Sequence, residues 1–421
     1  MDVCGKRAFE LIERLGYERV SGTDAELKTA EAIKAEVDAL GVECVLEEFE
    51  VENGIITEAT LTVLEPYVKE YNVTGYIRSA STPDEGLTLD FAYVESGHPL
   101  HLQNAKGNAV LINGRVSYKN YEKLQKAGVA AIIGFSGSIF DTEEDSDIDI
   151  RKLREVLSDN FGDNVLVNLR IKDAMEMVQR GVTKVNIKVK GERIKSVSHN
   201  VCATITGTER PDEIISFGAH YDSVYFSTGV YDNMSGSAVI MEALRYFAEH
   251  PPRRTLKFNW FGSEEQGLLG SKAYVKAHEE ELEKHVLMIN VDMAGPILGY
   301  EHAYVMGSDT FKPYAEGMMK ELGKPVHFDN NIYSSDSIPF ADNGVPAINF
   351  VREGAHGAAF IHDRRDNLVN GFMSADALAI TADIVLEFAK RVANAAVFPI
   401  ERKISDSIRE KVDEYLFKKK D

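Results

Sequence analysis

The chain has 421 residues, 44% hydrophobic and 27% charged, with a formal net charge of −20. That length buries a large core in two or three domains, and the composition is globular rather than fibrous or low-complexity. The acidic balance argues against a nucleic-acid partner, which needs a basic face, and no apolar stretch approaches a bilayer span.

The opening "MDVCGKRAFELIERLGYERV" has a helical period and scattered charges instead of a basic segment followed by an apolar one, so no leader is read there and a cytoplasmic protein is expected. Cys4, Cys44 and Cys202 are too few for a disulfide framework or a thiolate metal site. Helices are predicted over 5–16 and 24–40, the second carrying Ala30, Ile33, Val37 and Leu40 at helical spacing before Gly41. "VECVLEEFEVE" (42–52) then alternates as a strand does.

Between about 56 and 190 the texture changes to short apolar runs separated by turn residues. "GNAVLINGRVSYKNYEKLQKAGVAAIIGF" reads as strand, helix, strand, with Gly128 closing the helix. We read 56–190 as an inserted β-rich α+β domain. The acidic run at 141–150 lacks the glycine and terminal glutamate of a calcium loop and is expected to be a solvated loop.

From 197 onward strands and helices alternate: "EIISFGAH", a helix at 235–249, "TLKFNWFG", a helix at 267–281, "HVLMINVDM", a helix at 309–322, "VPAINFV" and a helix at 373–396. Such an order implies an α/β fold with a mostly parallel central sheet covered on both faces. The expected catalytic domain is discontinuous, 1–55 plus 191–400. The tail 401–421 has Ile404, Ile408, Val412 and Leu416 every fourth residue, the stripe of a docked helix or of a contact between copies in a homo-oligomer.

In such sheets, sites gather beyond the carboxyl ends of the strands. The four strands named release, in turn, His220 and Asp222, Glu264 and Glu265, Asp292, and a loop carrying His362. Taken singly, each is an ordinary surface pair, helix face or cap; their joint occurrence at successive strand ends is specific. Two imidazoles and several carboxylates without a thiolate suit Zn²⁺, Co²⁺ or Mn²⁺. That many ligands make better sense for two ions bridged by one carboxylate, clamping a shared water and polarising a carbonyl. Asp232, at the turn before the 235–249 helix, is the expected bridge, with Ser235 a candidate cap. Of the adjacent Glu264 and Glu265, one ligates and the other moves protons. Asp222 is near enough to accept the second N–H of His220.

The set "GAHYDSV…YDNMSG…WFGSEEQGLLGS…INVDMAG…IH…D" resembles the co-catalytic zinc metallopeptidase family of the bacterial leucyl aminopeptidases, aminopeptidase Y and the glutamate carboxypeptidases, over most of 197–396. The inserted segment resembles the protease-associated domain. The resemblance implies His220, Asp232 and Asp292 on one metal, and Asp232, Glu265 and His362 on the other. It further implies Glu264 as general base and acid, Asp222 as the orienting aspartate, Tyr333 as a donor to the oxyanion, and Phe350 and Ile361 lining a pocket for an apolar side chain. The expected activity is therefore that of an aminopeptidase acting on peptides.

One departure bears on that expectation. Where the family has threonine after the last histidine, Asp363 follows His362, with Arg364 and Arg365 beyond and Arg352 before. If one of these arginines held a substrate carboxylate, the enzyme would be a carboxypeptidase or dipeptidase. The same scaffold would also serve a glutaminyl cyclase or a catalytically inactive receptor.

Overall fold

A computed structural model describes residues 3–418 other than Arg115, residues 143–147 and Asp149, so most of the acidic run expected to be a loop lies outside the described residues. The chain divides into two compact units, Met1–Val51 with Val197–Asp421, and Glu52–Ser196.

The larger unit is an α/β structure built on six strands: β1 (Arg210–His220), β2 (Arg254–Phe261), β3 (His285–Val291), β4 (Gly299–Met306), β5 (Val326–Asn330) and β6 (Ala347–Gly354). Their order is β5-β4-β6-β3-β1-β2, and residues 201–205 pair antiparallel with β2 at the edge. Strands β2, β1, β3 and β6 are mutually parallel, in a register that sets His220 opposite Phe261 and Val291 opposite Phe350. Their carboxyl ends therefore open on one edge.

Period-two alternation sends neighbouring side chains to opposite faces. Ile215, Phe217, Ala219, Leu287 and Ile289 lie in one buried cluster with helices α1 (Gly5–Leu15), α2 (Asp24–Asp38), α3 (Ser235–Glu249), α5 (Phe311–Glu321) and α7 (Ala375–Asn394). Phe261, Met288, Met306 and Ala347 lie in a second with α4 (Leu269–Ala277), α6 (Ser337–Asp342) and α8 (Asp406–Tyr415). Ile404, Ile408 and Val412 are buried in this second cluster, so the tail stripe docks on its own chain.

Sequence reading missed β4, β5 and α6. In "GYEHAYVM" the polar Glu301 and His302 break the apolar signal, because Glu301 is buried by its pairing with Arg352 and Thr381. Strand β4 runs antiparallel to β6, so the parallel alternation is interrupted there.

In the smaller unit, strands 87–93, 109–111, 131–136 and 165–170 run parallel, and 73–77 closes antiparallel on 165–170. The helix Tyr118–Ala127 starts at a Ser117–Asn120 capping box and stops at Gly128, whose φ of 72° favours glycine.

Candidate metal centre

Each parallel strand of the larger unit ends by releasing polar side chains into a buried cluster. Beyond β1, His220 and Asp222 are 1% and 0% exposed. A tight turn at 230–234 then delivers Asp232, whose φ of −110° and ψ of 91° leave the helical region, and its peptide bond to Asn233 is cis. Met234, rather than Ser235, holds the N-cap position of α3 and makes no side-chain bond there; one residue earlier, Asn233 Oδ1 accepts from Gly236 N at 2.9 Å. Ser235 instead donates to Tyr231 O and accepts from Ala294 N, tying the turn to the segment after β3.

The two oxygens of Asp232 face two imidazoles. Oδ1 is 3.2 Å from His220 Nε2 and Oδ2 is 3.1 Å from His362 Nε2. Asp292 Oδ1 joins the first group at 3.7 Å from His220 Nε2, and Glu265 Oε2 joins the second at 2.9 Å from His362 Nε2. The ligand atoms of His220, Asp232 and Asp292 all lie within 4.8 Å of one another, as do those of Asp232, Glu265 and His362. Glu265 Oε1 is buried with no hydrogen-bond partner among the described residues, an orphaned acceptor of the kind a cation satisfies. Two nitrogen–oxygen triads sharing one carboxylate fit a pair of borderline divalent ions.

A further set of residues holds these groups. Asp222 Oδ1 lies 3.4 Å from His220 Nδ1, while its two oxygens accept the backbone N–H of Glu264 at 3.0 Å and of Glu265 at 3.3 Å. It thus ties the loop after β2 to the exit of β1. Asp366, wholly buried, accepts from Tyr231 N at 2.9 Å and Asp232 N at 3.1 Å. Asp336, at the start of α6, is also 0% exposed. Sequence reading assigned no role to Asp366 or Asp336. Asp336 lies in the stretch "YSSDSIPF" after β5 and Asp366 in "IHDRRDN" after β6.

Crowded acids and imidazoles shift one another. Burial pushes the Glu264 carboxyl well above its ordinary range; His220 opposes this, and the charges of Glu265, Asp336 and Asp292 add to it. Burial likewise raises Glu265, against the pull of His362. Asp232 goes the other way: burial is overcome by its bonds to His220 and His362, which hold it below the carboxylate range. His220 is held well above the imidazole range although burial opposes protonation, because Glu264 and the contacts to Asp222, Asp232 and Asp292 outweigh it. His362 is raised chiefly by the charge of Glu265. Burial pushes both Asp336 and Asp366 up to about 7. Cations bound among these groups would displace the shared protons.

The remaining sequence candidates are distributed unevenly. Tyr333 lies close enough to Asp292 and Asp232 that, after burial, their charges push its hydroxyl well above the usual range. Ile361 is 48% exposed beside His362, whose φ of 51° puts it in the left-handed region. Phe350 accepts from Asp292 N through its carbonyl, while its side chain is 1% exposed with its ring against Phe388. Arg352 donates to Pro296 O and Glu301 Oε1, and Arg365 grips Asp363 through Nε and Nη2. The guanidinium of Arg364 lies 5.8 Å from the ring centroid of Phe226.

Comparison with known proteins gives a consistent picture. Residues 200–389 match the family described as "Peptidase family M28". The chain is similar to aminopeptidase YwaD of Bacillus subtilis (strain 168), with 29% identity over 367 residues, 82% of this chain and 75% of that one. It is also similar to carboxypeptidase Q of Mus musculus, 26% identical over 345 residues, 76% of this chain and 71% of that one. Among solved structures, a peptidase M28 precursor from Shewanella amazonensis SB2B matches with a TM-score of 0.74 at 25% identity, over 94% of this chain and 95% of that one. A zinc aminopeptidase from Bacillus subtilis shares the fold with a TM-score of 0.76 at 24% identity, over 96% of this chain and 99% of that one.

Proposed function

We propose that this chain, whose residues 200–389 match peptidase family M28, is a metal-dependent hydrolase and specifically an aminopeptidase releasing the N-terminal residue of peptides at a two-ion centre. The observation that carries the reading is Asp232, with one oxygen toward His220 and Asp292 and the other toward His362 and Glu265. Zinc suits the donor set, as cobalt and manganese also would. When bound, such a pair lowers the pKa of a water and polarises the scissile carbonyl.

The chain's own residues supply the rest. Glu264 is the proton carrier: its backbone is pinned by Asp222, and its carboxyl, raised by burial, accepts a proton from the attacking water and returns it to the leaving amine nitrogen. The C–O bond forms first, placing negative charge on the carbonyl oxygen, and the C–N bond breaks once the nitrogen has taken the proton from Glu264, giving a free amino acid and a peptide shortened by one. Tyr333 retains its proton at neutral pH and is the proposed donor to the developing oxyanion. Ile361, half exposed beside His362, is the proposed apolar contact for the released side chain.

An aminopeptidase reading is favoured over a carboxypeptidase one by the state of the arginines. Arg352 and Arg365 are already engaged by Glu301 and Asp363, so neither guanidinium is offered to a substrate carboxylate. The test compares a free-amine peptide with its N-acetylated form in the metal-loaded enzyme. Cleavage of the first alone supports the proposal; preference for the acetylated peptide, with loss of activity when its C-terminus is amidated, supports the carboxypeptidase reading.

A further inference from the structure

Two arginines of the larger unit, Arg19 and Arg254, are 0% exposed, and they sit in contrasting places. Arg254 opens β2, where its Nε meets Glu213 and its Nη1 meets the carbonyl of Ala395, at the end of the strand remote from the candidate centre. Arg19, in the segment between α1 and α2, spends its guanidinium on backbone carbonyls alone. Nε donates to Tyr221 O, Nη1 to Tyr17 O and Thr228 O, and Nη2 to Gly229 O at 2.7 Å. Its main chain is locked as well: Arg19 N donates to Ser223 Oγ at 3.0 Å, and Ser223 N donates to Arg19 O at 3.3 Å.

Those carbonyls are informative by position. Tyr221 separates His220 from Asp222 at the exit of β1. Thr228 and Gly229 end the loop that delivers Asp232 three residues later, and Gly229 O also accepts from Met234 N, closing the turn around Asp232. Thr228 Oγ1 donates to the carbonyl of Asp366, whose carboxylate holds the N–H groups of Tyr231 and Asp232. Only a planar fork of donors spans such an array; an ammonium presents three donors from one point.

We propose that Arg19 is a positioning residue of the metal centre, its guanidinium fixing the strand exit that carries His220 and Asp222 against the loop that carries Asp232. The inference rests on the two-ion reading above. A guanidinium without a carboxylate bound to it is costly to bury. Burial pulls Arg19 down to about 10, with Asp222 and Asp366 opposing, so it remains charged at neutral pH. Its charge stands near acids that hold the centre, and its geometry joins the two backbones that must keep a set distance for Asp232 to face both imidazoles.

The test measures metal affinity rather than turnover alone. Chelated protein is titrated with Zn²⁺ against a chromophoric chelator, bound ions are counted by mass spectrometry, and folding is followed by circular dichroism and thermal melting. Arg19→Lys keeps the charge and loses the fork; it is expected to weaken zinc binding by about tenfold or more while the apoprotein still melts cooperatively. Arg254→Lys, as the control, is expected to lower Tm and leave zinc affinity unchanged. Ser223→Ala, which removes one tether of Arg19, is expected to weaken binding in the same direction by less, and it decides the matter if Arg19→Lys fails to fold. Native zinc affinity in folded Arg19→Lys, an equal loss in Arg254→Lys, or unchanged affinity in Ser223→Ala beside an unfolded Arg19→Lys would each overturn the proposal. A wild-type chain that binds no zinc would remove the two-ion reading along with it.

Discussion

The carboxylate of Asp366 accepts the backbone N–H of Asp232 at 3.1 Å, so the residue that faces both imidazoles is itself held from behind by a second, wholly buried acid. The same carboxylate takes the N–H of Tyr231 at 2.9 Å. Replacing Asp366 with alanine leaves two buried donors unpaired, at a cost of roughly 1–3 kcal/mol each. We expect Asp366→Ala to lose about 10- to 100-fold in zinc affinity, read by chelator competition, with Asp366→Asn recovering part of the loss. Equal and undiminished affinity in both variants would show that the Asp232 turn holds its shape unaided.

Glu264 and Asp232 should fail in different ways. Glu264→Gln preserves the volume and the backbone anchor on Asp222 but cannot carry a proton. It should retain bound metal and lose about 10²- to 10⁴-fold in kcat. Asp232→Ala should lose metal and activity together. Near-normal turnover by Glu264→Gln would reassign the base.

Gly236 shows how closely α3 approaches β3. A Cβ at this position would lie 2.2 Å from Val291 O, a backbone atom that cannot move aside without shifting the strand that carries Asp292. Gly236→Ala should therefore destabilise the protein by about 1–3 kcal/mol, and more if the backbone cannot yield. Denaturant melting checks the magnitude, and metal counting should show a loss of occupancy beyond that of an equally destabilised core variant.

Acid lability has an identifiable contributor away from the centre. Contact with His285, opposed by burial and assisted by Lys257, holds the Glu281 carboxyl down to about 2. A group depressed in the folded state contributes stability that is present above its unfolded value of about 4.3 and is lost as the pH falls toward 2. Burial also lowers His285, so its protonation opposes folding as the pH drops below about 6.5. Glu281→Gln should flatten the dependence of Tm on pH between about 5 and 2, and an unchanged slope would refute the assignment.

Sequence reading succeeded where chemistry coincided with strand ends. The apolar runs before His220, Glu264, Asp292 and His362 placed four strands, and a parallel sheet leaves its ligands on one edge. It missed β4 because Glu301 and His302 are polar yet packed, through partners 51 and 27 residues away in the chain. The ring of Phe350 is buried against Phe388 for a related reason: the period of the strand assigns its face.

The sequence by itself determined the donor types, their order and the strands that would release them, because these follow from local hydrophobic period and residue chemistry. Only tertiary structure decided that Asp366 and Arg19 brace the turn and strand exit around Asp232, and that Arg352 and Arg365 are engaged by neighbouring acids. The bracing bonds join residues 134 and 210 positions apart, beyond the reach of any local pattern, and a bonded arginine and a free one read alike as letters.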